Sequence, residues 1–231
     1  MFEDDIGFTT AVDLARCIRN KEISPVELIE VVLRRTEVIQ AELNPFITIT
    51  DDIARTEAKI AEKAVMNGDD LGPIHGVPFT VKDLVNTAGV TTTFGSFAFE
   101  DNVPKIDSIG VARLRRAGGI LIGKTTTPEF GHKPMTEAPL FGRTLNPWRN
   151  TLTSGGSSGG AAVAAATGLG PLHVGTDGGG STRIPAAACG VVGTKQTLGR
   201  VPHDMTSDSF GCMSFIGPIT RTVADCGLML D

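Results

Sequence analysis

Two glycine-bounded serines and one lysine are the residues of this chain whose types and spacing suit acyl transfer. The stretch Gly175-Thr176-Asp177-Gly178-Gly179-Gly180-Ser181-Thr182-Arg183-Ile184-Pro185 sets Ser181 directly behind three glycines. Without a Cβ, consecutive glycines let backbone N–H groups converge into a concave nest that favours an anion. A serine hydroxyl beside such a nest can attack a carbonyl while the amides receive the developing oxyanion. An ordinary glycine turn with a satisfied serine would give the same string. The second cluster, Gly155-Gly156-Ser157-Ser158-Gly159-Gly160, runs into six residues of alanine and valine from Ala161 to Ala166. Their helix propensity makes the glycines the turn entering a helix, although a Gly/Ser hexapeptide taken alone also suits a flexible linker. A reacting serine needs a base, and His75, His132, His173 and His203 sit in no recognisable motif. Lys82 closes the strand-like run Phe79, Thr80, Val81 and is followed by Asp83. Desolvation in a partly apolar cleft would lower its pKa and let the amine accept a proton; a lysine reaching from a strand end to water is the plainer alternative.

The elements that must position these groups read as follows. Ser24, Pro25 and Glu27 form a capping box with proline at the first helical position, and Val26, Ile29, Val32 and Leu33 repeat behind it at helical spacing, predicting a helix toward Ala41. Asp51 and Asp52 are expected to cap a second helix through Ala54, Ile60, Ala61 and Ala64, ending near Asn67 and Gly68. After Leu71 the texture changes. Val77 to Val81 and Gly119 to Ile122 read as buried strands, with a helix between them capped by Asp107 and stopped at Gly118 and Gly119. Strand, helix and strand in sequence give an α/β fold with a largely buried sheet.

The 231 residues are 41% hydrophobic, enough for a proper core, with Lys+Arg 21 against Asp+Glu 26 and a formal net charge of -5. That balance offers no broad basic patch for nucleic-acid phosphates. The acidic start Met-Phe-Glu-Asp-Asp is unlike a signal peptide, and no apolar run approaches the roughly 18 residues of a membrane span, so a cytoplasmic location is expected. Cys17, Cys189, Cys212 and Cys226 are widely spread and read as reduced thiols, and neither cysteines nor histidines show metal-ligand spacing, so no metal is expected.

Taken in order, Gly76-Val77-Pro78-Phe79-Thr80-Val81-Lys82-Asp83, then Gly155 to Gly160, then Gly175 to Pro185 resemble the three hallmark blocks of the amidase signature family. Gly123 to Gly131, Asn146-Pro147-Trp148 and Gly217 to Asp225 support the resemblance, which runs along nearly the whole chain. It implies a mixed, largely buried β-sheet flanked by helices, in one domain over 1–231 with a helical segment over 1–70. It also implies Ser181 as nucleophile, Ser157 as a relay on a cis peptide, and Lys82 as neutral base. Gly178, Gly179, Gly180 and Ser181 would supply an oxyanion hole, Ser158 would hold Lys82, and Asp177 and Arg183 would support the loop. The implied reaction is hydrolysis of a small-molecule amide through an acyl-enzyme, with no cofactor. Ser154 stands where the family commonly has proline, and Thr194-Lys195-Gln196 replaces a more usual Leu-Lys-Pro. Family members run to about twice this length, so the fold is expected to be incomplete on its C-terminal side, with exposed core surface favouring self-association.

Two other readings compete. Gly118-Gly119-Ile120-Leu121-Ile122-Gly123-Lys124-Thr125 fits the phosphate-loop pattern of nucleotide-binding proteins, but its centre is strand-like and Pro128 arrives too soon for the helix such a loop opens. The glutamine-hydrolysing component of the tRNA-dependent glutamine amidotransferase shares the same signature; Gly131-His132-Lys133-Pro134 looks more like free-standing amidases.

Overall fold

A computed structural model describes residues 6–204 and 213–231; Cys212 lies outside them. Ser24 caps a helix as its sequence predicts, its Oγ accepting from the amides of Val26 and Glu27 while the Glu27 side chain returns to the Ser24 amide. This helix, α2 (Pro25–Leu43), follows α1 (Ala11–Arg19) and buries Leu28, Ile29, Val32 and Leu33. The expected caps by Asp51 and Asp107 are corrected by the structure. In α3 (Asp51–Asn67) the cap position is Thr50 and no side chain bonds the free amides; Asp51 and Asp52 lie inside the first turn, where their charge favours the helix dipole instead. In α4 (Ile109–Arg116) the cap position is Ser108, and Asp107 Oδ1 accepts from the Ala88 amide at 2.7 Å, so it braces a loop instead of a helix.

Six strands, β1 (Phe46–Ile49), β2 (Pro78–Lys82), β3 (Ile120–Thr125), β6 (Leu172–Asp177), β7 (Val192–Gly193) and β8 (Phe215–Thr220), form one sheet in the order β1-β3-β2-β6-β8-β7. β2 lies parallel to both β3 and β6, whereas β1 and β8 pair antiparallel with β3 and β6. The sheet is thus mixed, as the resemblance implied. β2, β3 and β6 are buried at every position, which suits central strands covered on both faces. β4 (Glu137–Ala138) and β5 (Gly142–Arg143) make a separate small hairpin. The alanine-rich α5 (Gly159–Ala166) is buried from Gly159 through Ala165, followed by α6 (Arg183–Cys189) and α7 (Val223–Leu230). An all-round apolar surface is what a helix enclosed by protein requires.

The chain's two ends are stitched together: the Ala11 amide at the start of α1 donates to Asp225 Oδ1 of α7 at 2.7 Å. Cys17, Cys189 and Cys226 are free and buried. No helix among the described residues is long and apolar enough to cross a membrane.

Candidate active site

The C-terminal ends of the parallel strands β2 and β6 converge on the N-terminus of α5, and there the sequence-predicted residues meet. Lys82, the last residue of β2, is fully buried. Its Nζ lies 2.7 Å from Ser157 Oγ, 2.8 Å from Ser158 Oγ and 2.9 Å from Thr176 Oγ1. Ser158 Oγ donates to the Thr176 carbonyl at 3.2 Å, so toward Lys82 it accepts. Burial pushes the Lys82 pKa well below the ordinary lysine range, with the charge of Asp177 opposing it. The site therefore favours a neutral amine, which has two N–H groups and one lone pair for its three hydroxyl neighbours. Thr176 carried no role in the sequence reading although it lies in the quoted block; strand alternation from His173 is what turns it toward Lys82.

Ser157 follows a cis peptide bond from Gly156. The glycines around it are fixed by crowding. A Cβ on Gly156 would stand 2.6 Å from the Met135 nitrogen, and one on Gly131 would stand 3.1 Å from Ser157 Oγ and 2.6 Å from Leu84 Cδ1. Gly131 thus lies directly over the Ser157 hydroxyl, a neighbour that no spacing rule identifies.

The loop after β6 brings Ser181 to the same place through its backbone, since the Ser158 amide donates to the Ser181 carbonyl at 3.2 Å. Asp177, 1% exposed, organises this loop. Its Oδ1 accepts from the Gly180 amide at 2.8 Å and Arg183 Nη2 at 3.0 Å, and its Oδ2 from the Thr182 and Arg183 amides at 3.3 and 3.4 Å and Arg183 Nε at 2.9 Å. Burial alone would raise the Asp177 pKa, but the Arg183 side chain and these amides outweigh it and hold the carboxyl below its usual range. Ser181 is flanked on both sides by amides tied to one carboxylate. The Gly180 amide is engaged there, whereas those of Gly178, Gly179 and Ser181 make no hydrogen bond among the described residues. Gly180, at φ 123°, adopts a conformation that L side chains rarely take.

The histidines stand elsewhere. His173 is buried between Thr80 Oγ1 at 2.8 Å and the Gly170 carbonyl at 3.0 Å, and burial pulls its pKa to about 3, leaving it neutral and structural. Lys124 of the apparent phosphate loop is no nucleotide ligand: β3 runs through it to Thr125, no helix follows, and its side chain is fully buried.

Comparison with known proteins agrees with this arrangement. The family model described as Amidase matches residues 27–231. An acylamidase of Rhodococcus erythropolis is 42% identical over 231 residues, covering 100% of this chain and 48% of the relative. A glutamyl-tRNA(Gln) amidotransferase component of Geotalea daltonii is 41% identical over 93% of this chain and 44% of its own length. The crystal structure of a bacterial aryl acylamidase of the amidase signature enzymes superposes with a TM-score of 0.91 at 35% identity, covering 96% of this chain and 46% of that one. The chain spans about half the length of the curated relatives it matches. With the family model matching most of its length and the mixed sheet superposing on a solved member, the chain belongs to the amidase family.

Proposed function

We propose that this chain carries the reacting groups of an amide hydrolase acting on a small-molecule C–N bond, with Ser181 as nucleophile, Ser157 as relay and Lys82 as base. The observation that carries the reading is the fully buried Lys82 amine with Ser157 Oγ at 2.7 Å and no carboxylate among its hydrogen-bond partners. The Lys82 lone pair takes the Ser157 proton as Ser157 Oγ takes the Ser181 proton. Ser181 Oγ then bonds to the carbonyl carbon. The carbonyl electron pair moves to oxygen, where the amides of Gly178, Gly179 and Ser181 receive it. Collapse breaks the C–N bond, and the proton held on the relay passes to the leaving amine. Water repeats the sequence on the acyl-enzyme, regenerating Ser181. Ser158 and Thr176 hold the amine in place, and Asp177 with Arg183 holds the loop.

A serine-directed fluorophosphonate tests the assignment. The adduct is expected on Ser181 by mass spectrometry and is expected to be lost in Lys82→Ala; an adduct on another serine, or undiminished labelling in Lys82→Ala, refutes it. The 41% identity to a glutamyl-tRNA(Gln) amidotransferase component supports a second reading, in which the same residues act within an assembly working with tRNA. Amide turnover that requires both partner proteins and tRNA would select it.

A further inference from the structure

Lys124 is the second fully buried lysine of the fold, and the amide-hydrolase reading gives it no task. Its Nζ lies 2.6 Å from the Val85 carbonyl, 2.9 Å from Thr87 Oγ1 and 2.8 Å from Thr92 Oγ1. All three neighbours can only accept. Val85 offers a carbonyl, while the Thr87 and Thr92 hydroxyls donate to the Val85 and Val90 carbonyls at 3.2 Å each. Three acceptors call for three N–H groups, which only the ammonium form possesses. The counter-charge is Asp83, whose Oδ1 lies 3.9 Å away with no hydrogen bond of its own, while Oδ2 accepts from the Thr93 amide at 2.9 Å and from Thr93 Oγ1.

We propose, resting on the function above, that Lys124 is a positioning residue whose ammonium, paired with Asp83, locks the turn carrying Lys82 and so keeps water from the base. The connection is short. Lys124 holds the Val85 carbonyl, and the Val85 amide donates to the Lys82 carbonyl at 3.0 Å. Leu84, between them, packs against Gly131, which covers Ser157 Oγ. Asp83 closes the far side, its amide donating to the Thr125 carbonyl at 3.0 Å and its carbonyl accepting from Phe94 at 3.1 Å. Phe94 in turn accepts through its carbonyl from the Phe130 amide at 2.8 Å, next to Gly131. The ammonium therefore fixes both the turn that carries the base and the backbone that roofs the relay.

Electrostatics agrees with this division of roles. Burial pulls Lys124 down to about 7, opposed by the charges of Asp83 and Asp107. Asp83 is itself raised by burial, opposed by Lys124 and Thr93. Lys82 feels burial and Asp177. One buried lysine is thus a neutral amine among hydroxyls that can donate to it, and the other is a cation among oxygens that cannot.

The test is the pH profile of Ser181 labelling in the full-length protein. Loosening the turn admits water to Lys82, which lessens its desolvation and raises its pKa, so the neutral base is populated only at higher pH. Lys124→Met is expected to label about tenfold more slowly near neutral pH, with the profile's midpoint moved up by about one unit. A role confined to stability would lower the melting temperature and leave the midpoint in place, and that result overturns the proposal while leaving the proposed function standing. Should the single variant not fold because Asp83 is left as a lone buried charge, Lys124→Met/Asp83→Asn removes both charges and is held to the same midpoint shift. Wild-type protein without a Ser181 adduct overturns both readings.

Discussion

Asp177→Asn separates two accounts of the loop that carries Ser181. In one, the carboxylate matters as the partner of Arg183; in the other, it matters as a cage for backbone amides. Replacing one carboxylate oxygen by NH2 turns an acceptor into a donor whichever way the amide sits. The milder orientation puts NH2 at the Oδ1 position, losing the bonds from the Gly180 amide and Arg183 Nη2; the harsher one loses three at Oδ2. Hydrogen bonds to a charged group contribute about 1.5–3 kcal/mol each, and more is lost when a buried donor then faces a donor. The Arg183 share needs discounting, because that side chain is 53% exposed and solvent-screened pairs contribute about 0–1 kcal/mol. The sum is about 2–4 kcal/mol, or roughly 4–16 °C in melting temperature for a chain of this size. Arg183→Met removes only the screened pair and keeps the three amide bonds, so it is expected to cost less than about 1 kcal/mol. Paired thermal melts, with the fluorophosphonate rate at Ser181 measured below each melt, make the comparison. Equal losses in the two variants would refute the amide-cage account and leave the ion pair as the organising contact.

Two further predictions use the same site. Because the unfolded chain keeps a proton on Lys82 up to its ordinary pKa of about 10.4 and the folded chain favours the neutral amine, the unfolded state binds more protons and stability rises with pH below that value. The stability of wild type relative to Lys82→Met, from urea midpoints, is expected to climb by up to about 1.4 kcal/mol per pH unit between about pH 8 and 10; a flat difference would mean that Lys82 is charged in the folded state. Gly159→Ala puts a methyl against Thr136 Oγ1 and within 2.6 Å of Ser154 Oγ, at the first turn of α5, and is expected to destabilise by about 1–3 kcal/mol in chemical denaturation, against a gain if helix propensity decided the outcome.

What the sequence made legible is local. The Ser24 box, the glycine entry into α5 and the placing of Lys82 at a strand end each follow from a few neighbouring residues, and each stands in the structure. The same local logic failed at Asp51 and Asp107, where the choice of cap depends on backbone angles one residue earlier and on a loop partner 19 residues away. β8 was not legible as a strand because Gly217 and Pro218 interrupt its apolar run, yet it pairs with β6 along its whole length. Thr176 and Gly131 were missed for a related reason. Their importance comes from strands and turns distant in sequence closing around Lys82 and Ser157, a relation carried by topology and not by spacing.

The two lysines show where sequence logic stops and why. Lys82 and Lys124 both lie at the C-terminal ends of central strands that pair with each other, and both are fully buried. Nothing in propensity or periodicity tells them apart, and burial lowers the pKa of both. What differs is the hydrogen-bonding capacity of the cage. Ser157 and Thr176 each own a hydroxyl proton that can turn toward the amine, and the remaining charge nearby, Asp177, is tied to Arg183 and the loop amides. The Val85 carbonyl has no proton, Thr87 and Thr92 direct theirs elsewhere, and Asp83 stands within ion-pair reach. Desolvation alone would neutralise either lysine; acceptor-only neighbours and a carboxylate reverse that outcome at Lys124, and donor-capable neighbours let it stand at Lys82.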